Sequence, residues 1–176
     1  MHRIRSATTD DAAAIAEIYK PYVEETAISF ELLAPGVEEM RERIAKVSKE
    51  FPWLVYETNG VIEGYAYAGA WKNRCAYDWS VESTVYVKQG RHGQGIGKAL
   101  YSDLLGRLER QGAINVIGGI ALPNEGSVAL HETLGFKPVA HFKDIGFKLG
   151  KWWDVGYWQL QFPKHEKPNP LAKPVV

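Results

Sequence analysis

The sequence predicts one α/β domain, with a mixed sheet carrying helices on both faces. Three observations predict it. Asn59-Gly60 joins two apolar alternating runs, a strong short hairpin signal. The glycine-rich stretch Gly93 to Lys98 separates a strand-like run from an amphipathic helix. Two aromatic, strand-like runs close the domain, after the last helical pattern.

Taken in order, Arg3 to Ser6 reads as a first strand. Thr8 or Thr9 then caps a helix that begins at Asp10-Asp11 and puts Ala14, Ile15, Ile18 and Tyr19 on one stripe. Pro21 ends or kinks it. Residues 26–35 form a loop or short strand containing Phe30, and residues 38–50 a charged second helix. Residues 53–57 and 61–70 make the hairpin, and 81–88 the next strand. A helix over 97–111 stops before Gly112. Residues 114–122 are apolar enough for a strand buried on both faces. Residues 124–134 form a helix stopped by Gly135, and strands near 136–147 and 152–162 follow. The folded domain is expected to span 1–162. The Pro- and Lys-rich residues 163–176 read as a loose tail.

Composition narrows the function. The chain has 176 residues, 45% hydrophobic and 24% charged, which suits a single soluble domain with a real core. Lys plus Arg and Asp plus Glu are 21 each, so no basic excess points to nucleic acid. No apolar run is long enough for a membrane helix, and Met1 to Arg5 lead into a strand without a signal-peptide core. A lone cysteine, Cys75, rules out an intramolecular disulfide and reads as an incidental small residue. Together these favour the cytoplasm.

A strand, a tight glycine loop and a helix N-terminus in succession make a pocket of unpaired N–H groups for a phosphate or pyrophosphate. Glycine lets the backbone approach the anion with no Cβ in the way. The loop is not a P-loop, because His92 and Ala99 stand where a glycine and a Ser or Thr are needed. Nor is it a dinucleotide fingerprint, since Gly97 follows Gly95 by two residues and position 98 is Lys. Gly93, Gln94, Gly95, Ile96, Gly97 and Lys98 do resemble the pyrophosphate loop of the GNAT acetyltransferases, with His92 where that pattern has Gln or Arg.

Acyl transfer to an amine calls for a base that deprotonates an ammonium and for a donor to the oxyanion. On the strand 81–88, Glu82, Thr84 and Tyr86 share one face. Glu82 is placed for desolvation and a raised pKa there; otherwise it is a solvated strand-end carboxylate. Asn124 could serve a pantetheine arm with its amide, or cap the helix, or both. His131 lies two turns further along that helix face and could exchange protons or be structural. The loop from Trp71 to Trp79 interleaves aromatics with Lys72 and Arg74. It suits a small anionic substrate, or is a solvated loop with buried tryptophans.

Several segments are specific. Phe51-Pro52-Trp53-Leu54-Val55, residues 65–69, Ala76-Tyr77-Asp78-Trp79, residues 82–87, Leu130-His131-Glu132, Gly146-Phe147-Lys148 and residues 152–160 resemble the phosphinothricin N-acetyltransferase family of the GNAT superfamily, over about 4–162. The resemblance implies the GNAT fold with a mostly antiparallel sheet. It implies acetyl-CoA as cosubstrate, no metal, and a small amino-acid-like substrate such as phosphinothricin, methionine sulfoximine or methionine sulfone. Glu82 would be the general base, and His131 would stand at the position of the tyrosine acid of many GNAT enzymes. Acetyl-CoA would contact Val85, Tyr86, Val87, the loop 93–98 and Asn124. Phe30, Lys72, Arg74, Tyr77 and Tyr86 would line the amino-acid pocket. The family also implies a homodimer with the pocket near the interface. Another small amine, a protein N-terminus or a silent acetyl-CoA-binding module are the alternatives.

Overall fold

The computed structural model describes residues 2–164 and 169–174. Its elements run β1 (His2–Ser6), α1 (Ala12–Glu24), α2 (Val37–Val47), β2 (Trp53–Thr58), β3 (Val61–Ala70), β4 (Ser80–Val87), α3 (Ile96–Gln111), β5 (Asn115–Leu122), α4 (Glu125–Thr133), β6 (Lys137–Lys148) and β7 (Lys151–Gln161). The seven strands form one sheet in the order β1-β2-β3-β4-β5-β7-β6. Among the described residues, only the β4–β5 pair is parallel.

The two faces of the sheet carry separate cores. Ile15, Ile18, Tyr22 and Val23 of α1, with Met40 and Ile44 of α2, pack on Trp53, Val55 and Tyr65. On the other face Ile96, Leu100, Leu104 and Leu108 of α3 pack on Leu54, Ala66, Val81, Val116, Ile120 and Trp158. Strand period two explains the split, since Leu54 and Val55 are neighbours that point to opposite layers. Asn59 and Gly60, with φ of 49° and 83°, make the β2–β3 turn as expected.

The chain differs from its sequence expectation in four places. A short 3₁₀ turn, Thr9–Asp11, precedes α1, because the Asp11 carboxylate is taken by the Thr8 N–H at 2.7 Å and by Arg5 at 2.7 and 2.8 Å. Pro21 sits inside α1 without ending it. The second helix ends at Val47, and Glu50 and Phe51 instead bond back to the Val47 carbonyl. β5 is buried on one face only: Val116 and Ile120 are covered, whereas Gly119 is exposed. Its apolar run has no full second layer because that side fronts an open gap.

For the C-terminal stretch, residues 165–168 and 175–176 lie outside the described residues. Residues 169–174 run back against the body. The Trp79 indole donates to the Asn169 carbonyl at 2.7 Å, the Ala172 N–H donates to the Gln111 carbonyl at 2.9 Å, and Leu171 packs on the α3 core. The apolar side chain of Leu171 explains why this part of a polar, Pro-rich tail docks.

Candidate functional site

The site begins where two strands part. β4 pairs with β3 from Val81 to Val87, but with β5 only at Ser80–Asn115, Val81–Val116 and Glu82–Ile117. β5 follows β7 instead, from Asn115 to Leu122. From Ser83 onward one edge of β4 therefore faces a wedge and not a strand. Backbone groups on such an edge are free to pair with an extended, amide-bearing ligand.

At the end of β4 the chain turns through Gly90, Gly93 and Gly95, with φ of 77°, 75° and 80°. Gly95 is the N-cap of α3, and no side chain caps the helix. The first N–H groups of α3 thus have neither a helical partner nor a capping oxygen. No atom of the described residues lies within 4 Å of where a Cβ would sit on Gly93 or Gly95, which leaves the approach to those donors open. Wedge and loop together border a cavity of about 350 Å³.

Val85, Tyr86, Val87, Gly93, Gly95, Ile96, Gly97, Lys98 and Asn124 all line this cavity. Gln94 is exposed and does not. Sequence reasoning missed Tyr22 and Ile28, which reach it from α1 and the following loop, and Leu130 of α4. Asn124 fills the N-cap role, its Oδ1 accepting the Ser127 N–H at 3.1 Å. That leaves the amide N–H₂ of Asn124 as the donor available to a ligand.

A smaller cavity of about 80 Å³ continues into the wedge between Ser83–Tyr86 and Gly119–Ala121, with His131 at its wall. His131 is 3% exposed. Its ring is within 2.7 Å of the Ser127 carbonyl, which can only accept, so Nδ1 carries the proton. Nε2 is then the acceptor, 3.3 Å from the Tyr101 hydroxyl. Burial pulls the imidazole pKa below its ordinary value, so the neutral ring is favoured. Gly118 makes room for it. A Cβ on that residue would fall 2.4 Å from His131 Nε2.

Gly119, the next residue, serves the opposite face. A Cβ there would stand 3.4 Å from Glu82 Oε1 and 3.2 Å from the Tyr157 ring. Successive strand residues point to opposite faces, so Glu82 and His131 stand on different sides of β5. Glu82 is half-buried, and burial raises its pKa while the Lys72 charge works in the opposite direction. It lines neither cavity.

The expected amino-acid pocket is only partly assembled. Tyr86 lines both cavities and is ringed by Tyr19 and Tyr22, each 4.9 Å away, and Tyr65 at 5.5 Å. Phe30 lies against Gly146, whose missing Cβ would fall 2.5 Å from its ring. Its loop is tied down by Lys148 to the Ser29 carbonyl, Tyr19 to Ser29 and Glu31, and Arg43 to Glu31. Lys72, 4.6 Å from the Trp71 ring, is electrostatically coupled to Glu82. Arg74 and Tyr77 are exposed and border neither cavity.

The Acetyltransferase (GNAT) domain family matches residues 4–156. A phosphinothricin N-acetyltransferase from Streptomyces viridochromogenes is 42% identical over 98% of this chain and 94% of its own. An L-methionine sulfoximine/L-methionine sulfone acetyltransferase from Salmonella typhimurium is 35% identical over 94% of this chain and 98% of its own. Among solved structures, a GNAT superfamily phosphinothricin acetyltransferase from Sinorhizobium meliloti in complex with acetyl-CoA superposes with a TM-score of 0.91. That protein is 35% identical, over 96% of this chain and 93% of its own.

Proposed function

The chain belongs to the GNAT acetyltransferase family, and from that premise we propose that it acetylates the α-amino group of a small amino-acid analogue such as phosphinothricin, methionine sulfoximine or methionine sulfone. The observation that carries this reading is the glycine-capped N-terminus of α3 opening onto the free edge of β4 in one cavity. Acetyl-CoA, when bound, supplies the thioester carbonyl that the amine attacks. The residues fit such a ligand. The first N–H groups of α3 would hold the pyrophosphate, and the backbone of Val85 and Val87 would pair with the pantetheine amides, with Tyr86 between them in contact with the ligand. Asn124 would add its amide N–H₂.

Glu82 would take the proton from the substrate ammonium. Burial raises its pKa, which makes the carboxylate a stronger base and supports the role. His131 would position the wedge through Ser127 and Tyr101, its neutral Nε2 standing as an acceptor. Phe30, Lys72, Arg74, Tyr77 and Tyr86 would line the amino-acid pocket. The test is acetyl-CoA turnover against phosphinothricin, methionine sulfoximine, methionine sulfone and the common amino acids. Turnover of the three analogues supports the reading, and turnover confined to other amines or none at all overturns it.

We also propose a homodimer in the cytoplasm. β6 is an edge strand, and its hairpin with β7 exposes Val139, Phe142, Ile145, Phe147, Leu149 and Trp152. Apolar surface of that extent on a sheet edge favours a partner. Sedimentation of the full chain at micromolar concentration should give twice its mass, and a monomer would refute the assignment. Fractionation of the native cell, with the protein expected in the soluble cytosol, tests the compartment.

A further inference from the structure

His92 occupies the loop position at which the GNAT pattern carries Gln or Arg, and it lines the larger cavity. The Tyr22 hydroxyl of α1 meets two groups at once, the Val87 carbonyl and His92 Nε2, the latter at 2.6 Å. A phenol has one hydrogen, and a carbonyl can only accept it. The Tyr22 O–H therefore points at Val87, and its oxygen must accept from His92. Neutral His92 is thereby fixed with its proton on Nε2. Nδ1 is left as a bare lone pair, without a partner among the described residues.

A lone pair repels phosphate oxygen. Gln and Arg both present an N–H in every protonation state near neutrality, whereas this imidazole presents one at Nδ1 only as a cation. The surroundings bear on that charge. Arg91 of the same loop is paired with Glu63 of β3 at 2.8 Å, and Lys98 of α3 lines the cavity. Tyr22 of α1 and Tyr86 of β4 are the phenols nearby, and α4 contributes only Gly126, Ser127 and Leu130. A bound pyrophosphate would favour a positive charge at His92.

We propose that His92 is a proton-linked anchor for the pyrophosphate: the ligand binds with uptake of a proton at His92 Nδ1, so affinity rises as pH falls. This rests on the reading of the loop as the acetyl-CoA site. Histidine is the side chain whose ordinary titration makes such linkage felt near neutral pH.

Calorimetry of CoA binding to the full chain tests it, in two buffers of different ionisation enthalpy and at about pH 6 and about pH 8. The ligand's own phosphomonoester titrates near pH 6, so the quantity read is the difference between wild type and His92→Gln. Wild type should take up a substantial fraction of a proton more than His92→Gln. Its affinity should fall by up to about tenfold more over that range. Tyr22→Phe, which frees Nε2 and allows a neutral ring with N–H at Nδ1, should reduce the excess uptake. Equal proton uptake in wild type and His92→Gln overturns the anchor. Full excess uptake in Tyr22→Phe overturns the role of the tyrosine lock. No CoA binding by wild type would instead overturn the acetyl-CoA reading itself.

Discussion

Glu82→Gln should lower kcat by about 10²–10⁴-fold, the usual contribution of a positioned general base, while CoA affinity stays near wild type. The amide keeps the shape that Gly119 and Tyr157 accommodate and removes the basicity. The wild-type rate should rise with pH through the titration of this carboxyl, since only the carboxylate can accept the ammonium proton. Burial places that acidic limb above the ordinary glutamate range, and the Lys72 charge partly restrains it. In the variant the limb should disappear, and part of the lost rate should return at high pH, where free amine forms unaided. If Glu82→Gln instead keeps both the rate and the limb while His131→Ala removes it, the base is His131. The geometry argues against that exchange, because the Nε2 lone pair of His131 already faces Tyr101 within the buried wedge.

Filling the loop should be nearly as damaging. Gly95→Val places a β-branched residue at φ 80°, a backbone region that costs roughly 1–3 kcal/mol for side chains of this kind. Nothing within 4 Å would clash with the new Cβ, so the protein should still fold. The loop would escape the strain by turning away from left-handed geometry, and the α3 N–H groups would lose their common aim. Calorimetry should show CoA affinity down by about 10- to 100-fold. Gly60→Val is the control, with the same kind of φ, 83°, at the tip of the β2–β3 hairpin. It should lose stability without losing CoA affinity. An undiminished affinity in Gly95→Val would remove the loop from the site.

These two residues were legible in the sequence for different reasons. The glycine spacing between a strand and a helix points to a phosphate loop, because the chemistry is local and carried by backbone. Alternation along β4 put Glu82 and Tyr86 on one face. What local pattern could not show is what the third dimension adds. Tyr22 lies beyond the stripe read on the first helix, past Pro21, yet its hydroxyl reaches across to Val87 and His92. Gly118 and Gly119 read as part of an apolar strand buried on both sides. In the fold each is a space, one for His131 and one beside Glu82. Leu171 lay in a stretch whose composition spoke only of looseness. The family resemblance named Arg74 and Tyr77, but a single chain leaves them on an exposed loop.

The short β4–β5 contact has a mechanical consequence. The sheet is two panels, β1 to β4 and β5 to β7, stitched by three residue pairs and backed on one side by α3 and its core. Such a joint resists sliding far better than it resists opening, and α3 is the natural axis of the opening. A long ligand laid along the open mouth would act as a cross-brace between the panels. Its grip on the protein and the stiffness of the sheet would then be one quantity, so a substitution at the Ser80–Asn115 end of the stitch would be felt as a change in affinity.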